Sequence, residues 1–154
     1  MTADMIKIGI PGAAGRMGGM IIREIARHDD MVLVAATDRP GSDAIGQDSG
    51  LISGVGAIDV PVSDDPATLF ACTDVVIDFS SPQASAAHAA LAREHGTSLV
   101  IGTTGLTSAN EADLAAAADR AALVYCANTS IGVTLLSRLV EQVASQLGDG
   151  WDIE

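Results

Sequence analysis

A short apolar run followed by three regularly spaced glycines most constrains how this chain can fold. Residues 6–10 are rich in isoleucine and predict a β-strand, and Gly12, Gly15 and Gly18 follow before an apolar, helix-like pattern begins. This order suits a diphosphate group, because a glycine turn lets the backbone come close and the free N–H groups at a helix start favour negative charge. The spacing is one residue longer than in the commonest dinucleotide-binding motif, so a glycine turn without a ligand is the alternative.

An aspartate and an arginine follow the second predicted strand, which spans residues 31–37. Asp38 lies 20 residues after Gly18, where a carboxylate can accept hydrogen bonds from the ribose hydroxyls of a dinucleotide. The guanidinium of Arg39 can pair with the 2′-phosphate that distinguishes NADPH from NADH. We therefore predict a site that accepts NADH or NADPH. The alternative is a polar turn whose charges are solvated.

Strand-like and helix-like segments alternate along the chain. Further strands are predicted at 59–62, 74–79, 98–101 and 122–126. Helices are predicted at 20–26, at 65–72 with Pro66 in the first turn, from Ser81-Pro82 to Gly96, from Ser108 (paired with Glu111 as a capping box) to 118, and from Asn128-Thr129-Ser130 to Gly148. This alternation predicts an α/β fold with a doubly wound parallel sheet of the Rossmann type.

Three further features of the pattern carry structural expectations. Residues 40–61 are rich in Gly, Ser and Asp without periodicity, and we interpret them as a mobile surface loop. His88 lies beside the apolar stripe of its helix, and we interpret it as a packed or hydrogen-bonded residue rather than a catalyst. The last predicted helix carries apolar residues at i, i+4 spacing from Ile131 to Leu147, which predicts packing of that stripe against the sheet.

Length and charge narrow the class of protein. The chain has 154 residues, which is enough length for one domain with a core. Its net charge is −12. We expect neither nucleic acid nor a membrane as partner, because both require a concentrated basic face. Two cysteines and three histidines at scattered positions form no ligand pattern, so we predict no metal site. The first residues do not read as a signal peptide, and we expect a cytoplasmic protein.

The Asp38-Arg39 pair and four longer motifs together resemble one enzyme family, the 4-hydroxy-tetrahydrodipicolinate reductases, also called dihydrodipicolinate reductases. The resemblance covers essentially the whole chain, from Ile6 to Glu154. The motifs are Gly-Ala-Ala-Gly-Arg-Met-Gly at 12–18, Asp-Phe-Ser at 78–80, Val-Ile-Gly-Thr-Thr-Gly at 100–105 and Asn128-x-Ser130-x-Gly132-Val133.

The resemblance implies a role for each part of the candidate site. The glycine turn would hold the diphosphate, Asp38 the adenosine ribose and Arg39 the 2′-phosphate, while Phe79 would border the crevice of the nicotinamide half. Two positions depart from the family pattern, which usually has Glu at position 38 and a larger apolar residue, often Phe, at position 129. The cofactor-binding residues implied are Gly12, Ala13, Ala14, Gly15, Arg16, Met17, Asp38, Arg39, Gly102, Thr103, Thr104, Cys126, Ala127, Asn128 and Thr129.

The resemblance also implies a reaction and a second domain. The reaction is hydride transfer from NAD(P)H to a cyclic dicarboxylate in the diaminopimelate route to lysine, by an enzyme that assembles as a homotetramer. We assign residues 1–150 to the dinucleotide-binding domain and 151–154 to the first strand of an α+β substrate domain. Family members carry His-His-x-x-x-Lys and Lys-x-Asp-Ala-Pro-Ser-Gly-Thr segments in that domain. Neither occurs in this chain, so we expect no catalytic residue here and little turnover.

Two other interpretations stay open at this point. The chain could be a free-standing NAD(P)-binding module that senses redox state without chemistry, or the nucleotide half of a different two-domain dehydrogenase. The reading frame downstream of residue 154 would distinguish them. A His-His-x-x-x-Lys segment favours the reductase, and a stop codon favours the module.

Overall fold

Six parallel strands form one sheet in the computed structural model, which describes residues 5–147 and 150–151. The strands are β1 (Ile6–Pro11), β2 (Met31–Thr37), β3 (Val62–Ser63), β4 (Val75–Asp78), β5 (Ser98–Ile101) and β6 (Leu123–Tyr125). Their order across the sheet is β3-β2-β1-β4-β5-β6, and every neighbouring pair is parallel. This is the strand order of the doubly wound dinucleotide-binding fold, so the predicted fold class is confirmed.

Helices cover both faces of this sheet. They are α1 (Arg16–Ile25), α2 (Ser49–Ser53), α3 (Pro66–Cys72), α4 (Pro82–His95), α5 (Ser108–Ala117) and α6 (Ile131–Leu147). One apolar cluster contains residues of α1, β1 and β2, and a second contains residues of α3, α4, α5 and β5. On β4, Val76 belongs to the second cluster while Val75 and Ile77 pack against the first. Successive strand residues point to opposite faces, so the two clusters lie on the two sides of the sheet.

Local capping signals predicted the starts of α3 and α4 correctly. The side chains of Asp65 and Ser81 accept hydrogen bonds from backbone N–H groups in the first turn, and a proline opens each helix. Gly96 ends α4 in the left-handed conformation, as its position predicted. For α5 the predicted cap was wrong by one residue. Thr107 caps the helix and forms the capping box with Asn110.

Residues 40–61, which we interpreted as a mobile surface loop, contain a short helix that the sequence pattern did not predict. Asp48 caps the short helix α2, and its carboxylate accepts hydrogen bonds from the N–H groups of Gly50, Leu51 and Ile58. These backbone hydrogen bonds lower the pKa of Asp48 against the opposing effect of burial. The edge strand β3 begins at Val62 rather than at residue 59, because Asp59 adopts a φ of +58° that does not fit a strand.

The predicted packing of α6 against the sheet was also wrong. Ser130 caps this helix as predicted, with its Oγ accepting from the Val133 N–H at 3.3 Å. No residue of α6 is buried, and Leu135 and Leu139 of the apolar stripe are 58% and 49% exposed. The periodicity indicates that one face of the helix is apolar but does not identify the surface that covers it. Gly148 and most of the strand predicted at 151–154 lie outside the described residues.

None of the described helices combines the length and the hydropathy needed to cross a bilayer.

The exposure of α6 leads to a stability prediction. We expect the double variant Leu135→Gln/Leu139→Gln to change the free energy of unfolding by less than about 0.5 kcal/mol, because exposed side chains contribute little to stability. In contrast, Leu69→Ala at a position only 1% exposed should lower it by about 2–5 kcal/mol. Urea unfolding of the three proteins tests this. A loss of several kcal/mol in the α6 variant would show that this stripe is covered in solution.

Candidate functional site

The turn between β1 and α1 is as tight as its glycines predicted. Gly12 has a φ of +69°, a conformation that favours glycine, and its carbonyl oxygen accepts a hydrogen bond from Gly15 N–H at 2.9 Å. A Cβ on Gly18 would overlap with the same carbonyl oxygen. Helix α1 therefore approaches the turn at a distance that only glycine at position 18 allows.

The start of α1 is left open for an anion. Its first residue follows Gly15, which provides no side-chain cap, and the first turn has no acidic residue. By contrast, Asp65, Ser81 and Thr107 cap α3, α4 and α5 with their side chains. The uncapped N–H groups carry the positive end of the helix dipole, which attracts negative charge. The turn and helix start thus form a cradle that fits the diphosphate of a dinucleotide.

Asp38 is attached to this cradle. Its Oδ2 accepts a hydrogen bond from Ala14 N–H at 3.0 Å, and its Oδ1 accepts one from Arg39 N–H at 2.7 Å. Each carboxylate oxygen keeps a further lone pair, so Asp38 can still accept from a hydroxyl group. The structure brings the predicted diphosphate and ribose positions together, because β1 and β2 are neighbours and end at the same edge of the sheet.

A cleft of about 680 Å³, here called the main cleft, opens at the carboxyl ends of β1, β2 and β4. Its lining includes Gly12, Asp38 and Arg39 together with Phe79 and His88 of the β4–α4 region. In doubly wound sheets, ligands bind where the strand order reverses, here between β1 and β4. The main cleft therefore lies where the fold places a ligand.

A second pocket of about 460 Å³, the arginine pocket, adjoins the cradle. Arg16, Arg23 and Arg39 line it, with Asp43 as the acidic residue on its wall. Sequence reasoning missed Arg23, whose spacing of seven residues from Arg16 puts both on one face of α1. Arg23 Nη1 also donates to the carbonyl oxygen of Ser53 at 3.0 Å. In a chain of net charge −12, three arginines in one pocket favour an anionic group.

The loop after β5 packs against the loop after β4. Gly102 N–H donates to the carbonyl oxygen of Asp78 at 2.9 Å, and a Cβ on Gly102 would overlap with the ring of Phe79. Thr103 is only 5% exposed, and its hydroxyl accepts from Ser85 Oγ at 2.9 Å. The Thr103 hydroxyl is therefore turned inward, toward α4. Thr104 is exposed.

The segment after β6 lies away from the cradle. Cys126 N–H donates to the carbonyl oxygen of Ile101 at 3.0 Å, and Asn128 Oδ1 accepts from Ser130 N–H at 2.9 Å. Residues 126–129 are exposed and line neither the main cleft nor the arginine pocket, because β5 separates β6 from β4. Met17, 40% exposed, is likewise outside both pockets. Within the described residues, these predicted positions are not brought together with the glycine turn.

A buried, hydrogen-bonded Asp78–His88 pair, which sequence reasoning did not identify, borders the main cleft through His88. Asp78 is fully buried, and its Oδ2 lies 2.8 Å from Nδ1 of His88 while its Oδ1 accepts from Ser80 N–H at 2.8 Å. Burial would raise the pKa of Asp78, but the hydrogen bond and charge of His88 and the hydrogen bonds of Ser80 outweigh it and lower the pKa. The interpretation of His88 as hydrogen-bonded is confirmed. An aspartate ending an otherwise apolar strand was the available signal.

No group of three or more His, Cys, Asp and Glu side chains within residues 5–147 and 150–151 is arranged to hold a metal ion.

Solved structures with the same fold include reductases and dehydrogenases. A dipicolinate-bound dihydrodipicolinate reductase from Paenisporosarcina sp. TG-14 superposes with a TM-score of 0.70 at 24% identity, over 91% of this chain and 54% of that one. GenD2 from gentamicin A biosynthesis, solved in complex with NAD, gives a TM-score of 0.63 at 19% identity over 81% of this chain and 35% of its own. At these identities the likeness shows the fold.

Sequence comparisons identify the family. A family model described as dihydrodipicolinate reductase, N-terminus, matches residues 6–129. The 4-hydroxy-tetrahydrodipicolinate reductase of Aromatoleum aromaticum is 44% identical over 97% of this chain and 54% of its own length. That of Alkalilimnicola ehrlichii is 48% identical over 96% of this chain and 55% of its own. The chain spans about half the length of these curated relatives. The resemblance found in the motifs is thus confirmed, and the chain belongs to the dihydrodipicolinate reductase family, matching its amino-terminal part.

Proposed function

We propose that this chain binds NADH or NADPH as the nucleotide-binding part of a 4-hydroxy-tetrahydrodipicolinate reductase. The observation that carries the proposal is the uncapped start of α1 with Asp38 hydrogen-bonded to the turn beside it. An anion cradle and a ribose acceptor in direct contact match two successive groups of a dinucleotide. The family assignment and the NAD complex of a protein with the same fold support it.

The proposed roles of the residues around the glycine turn follow from their placement. The N–H groups of Arg16 and Met17 at the helix start bind the diphosphate, and Asp38 accepts from the ribose. Arg39 lies at the border of the main cleft and the arginine pocket, where it and Arg16 hold a 2′-phosphate when one is present. We propose that Gly102 to Thr104 and Cys126 to Thr129 border the nicotinamide half of the cofactor. The support for these two segments is the family resemblance.

The bound cofactor would supply the hydride for reduction of 4-hydroxy-tetrahydrodipicolinate to tetrahydrodipicolinate, a reaction that also takes up a proton and releases the hydroxyl group as water. We propose that these 154 residues contribute binding and orientation of the cofactor, and that they show little or no turnover alone. Detectable reductase activity from the isolated chain would contradict this. The end of the nucleotide-binding domain at residue 150 stays a prediction. The exposed α6 and the family match, which ends at residue 129, would also fit an earlier boundary.

Arg39→Ala tests the assignment of the phosphate site. We expect NADPH affinity to fall about tenfold or more, because a charge-assisted hydrogen bond to the 2′-phosphate is lost. NADH affinity should stay within about twofold, since that cofactor has a hydroxyl at the same position. Calorimetric titration of both cofactors at equal ionic strength measures the two changes.

Arg27→Ala is the matched control, because Arg27 is an exposed arginine just after the end of α1 that pairs with Glu24 and lines neither pocket. It should leave both affinities unchanged. An equal loss for NADH and NADPH in Arg39→Ala would reject the phosphate assignment. Failure of the unaltered chain to bind either cofactor would reject the proposed function.

A further inference from the structure

The Asp78–His88 pair determines which nitrogen of the imidazole carries a proton. A carboxylate has only acceptor groups, so Nδ1 of His88, 2.8 Å from Asp78 Oδ2, must donate. Asp78 remains ionised near neutral pH, because its pKa is lowered despite burial by the hydrogen bonds from His88 and Ser80. In the neutral imidazole, a proton on Nδ1 leaves Nε2 with a free lone pair. The neutral form of His88 therefore presents a hydrogen-bond acceptor at Nε2.

Nε2 is available to a ligand in the main cleft. His88 is only 7% exposed, and it lines that cleft. No described side chain or backbone group forms a hydrogen bond with Nε2. Within the part of the chain that the structure covers, Ser53 Oγ is the buried side-chain atom without a partner. Nε2 is therefore not sealed in the core, and its remaining accessible surface opens into the cleft.

The imidazole is also held in one orientation. The Asp78 carboxylate fixes one edge of the ring, and the Phe70 ring packs beside it with centroids 5.7 Å apart at a tilt of 38°. Both partners are fully buried and belong to the sheet and to α3, so neither can move without disturbing the core. An acceptor held in this way discriminates between ligands better than one on a mobile side chain.

The surrounding wall suits a flat heteroaromatic group. Ala84 and Ala87 of α4 and Pro40 and Pro66 of the loops line the same cleft as His88. The same cleft is also lined by Asp64, Ser80 and Ser81. Small apolar side chains with a few polar groups are typical of a pocket that binds a planar base. This wall and Asp38 line the same cleft, so a base joined to a ribose at Asp38 lies in the cleft that contains His88.

On the basis of the proposed function, we infer that His88 recognises the adenine of the cofactor, with Nε2 accepting a hydrogen bond from the exocyclic amino group. The amino group is the donor that adenine offers and hypoxanthine lacks, because hypoxanthine has a carbonyl oxygen at that position. His88 is thus a specificity-determining residue for the base. The Asp78 carboxylate acts through it as a positioning residue.

His88→Asn isolates this role from the structural one. The amide nitrogen of asparagine can replace Nδ1 and donate to Asp78, which preserves the buried pair, whereas nothing replaces Nε2. The probes are NADH and its hypoxanthine analogue, reduced nicotinamide hypoxanthine dinucleotide, titrated calorimetrically into the full 154-residue chain. His95→Asn is the matched control, because His95 lies exposed at the end of the same helix. Circular dichroism and thermal unfolding verify that each variant is folded.

We expect the unaltered chain to bind NADH about tenfold more tightly than the hypoxanthine analogue. In the analogue the hydrogen bond from the amino group to His88 Nε2 is lost, and the carbonyl oxygen of hypoxanthine, also an acceptor, faces Nε2 instead. His88→Asn should weaken NADH binding about tenfold, leave the analogue nearly unchanged and remove the preference. His95→Asn should keep the preference for NADH over the hypoxanthine analogue.

Equal affinity of the unaltered chain for both dinucleotides would overturn the inference and leave the proposed function intact. An equal loss for both in His88→Asn, with the preference kept, would likewise overturn it and assign His88 a structural role. Absence of binding to either probe would overturn the proposed function and this inference with it.

Discussion

We expect Gly18→Ala to lower the free energy of unfolding by about 1–3 kcal/mol, the usual range for forcing extra atoms into a packed site. A Cβ at this position would overlap with the carbonyl oxygen of Gly12 and lie 2.9 Å from Cα of Ala13. Both atoms belong to the backbone, so no side chain can turn aside. Relief requires that α1 move away from the turn, which would also disrupt the diphosphate cradle. Affinity for NADH should fall at least about tenfold, or about 1.4 kcal/mol.

Gly19→Ala is the matched control one residue further along α1. The nearest atoms to its new Cβ, on Arg23 and Ser53, would lie 3.8 Å away, an ordinary contact distance. Alanine is a better helix former than glycine by about 0.5–1 kcal/mol, so this variant should gain stability and keep its affinity for NADH. Urea unfolding and calorimetric titration measure both quantities. Equal behaviour of the two variants would show that α1 does not pack on the turn as described.

Gly18 illustrates why much of the fold could be predicted. Strands, helix starts and the glycine turn depend on residues that are close in sequence, and the apolar runs and capping residues report them directly. The one-residue error at α5 has the same local origin, because Thr107 and Ser108 are adjacent hydroxyl residues and either can cap a helix.

The errors concern partners that are distant along the chain. Asp48 organises residues 48–58 by accepting from the N–H of Ile58, ten residues later, which periodicity cannot reveal. The apolar stripe of α6 indicates a face without indicating what covers it. For the site, adjacent strand ends correctly brought Asp38 to the glycine turn. The Asp78–His88 pair was missed, because an aspartate at the end of an apolar strand signals a buried carboxylate without identifying its partner ten residues later.

Asp78→Ala is expected to have the largest effect on stability, lowering the free energy of unfolding by about 3–5 kcal/mol. The substitution leaves the His88 Nδ1–H and the N–H of Ser80 without their acceptor in a fully buried position. A buried donor that loses its partner retains its full desolvation penalty. The destabilisation by the substitution is therefore larger than the net stabilisation that the intact pair provides. Urea unfolding at neutral pH measures it. Asp119→Ala is the control, because Asp119 pairs with Arg93 at the half-exposed surface and should change stability far less.

The pH dependence of stability gives an independent test of the same carboxylate. Burial opposes ionisation of Asp78, yet hydrogen bonds from His88 and Ser80 hold its pKa below the ordinary value of 3.8. A carboxylate whose pKa is lower in the folded state stabilises the protein above its unfolded pKa, and this contribution is lost as pH falls from about 4 through the folded pKa. The pKa values of Asp48 and Asp65 are lowered too, so acid destabilises the unaltered chain through several groups. We therefore expect Asp78→Asn, which keeps the shape but not the charge, to show a smaller loss of stability with acid in this range. If the free energy of unfolding depends on pH in the same way in both proteins, the ionisation of Asp78 does not contribute to stability.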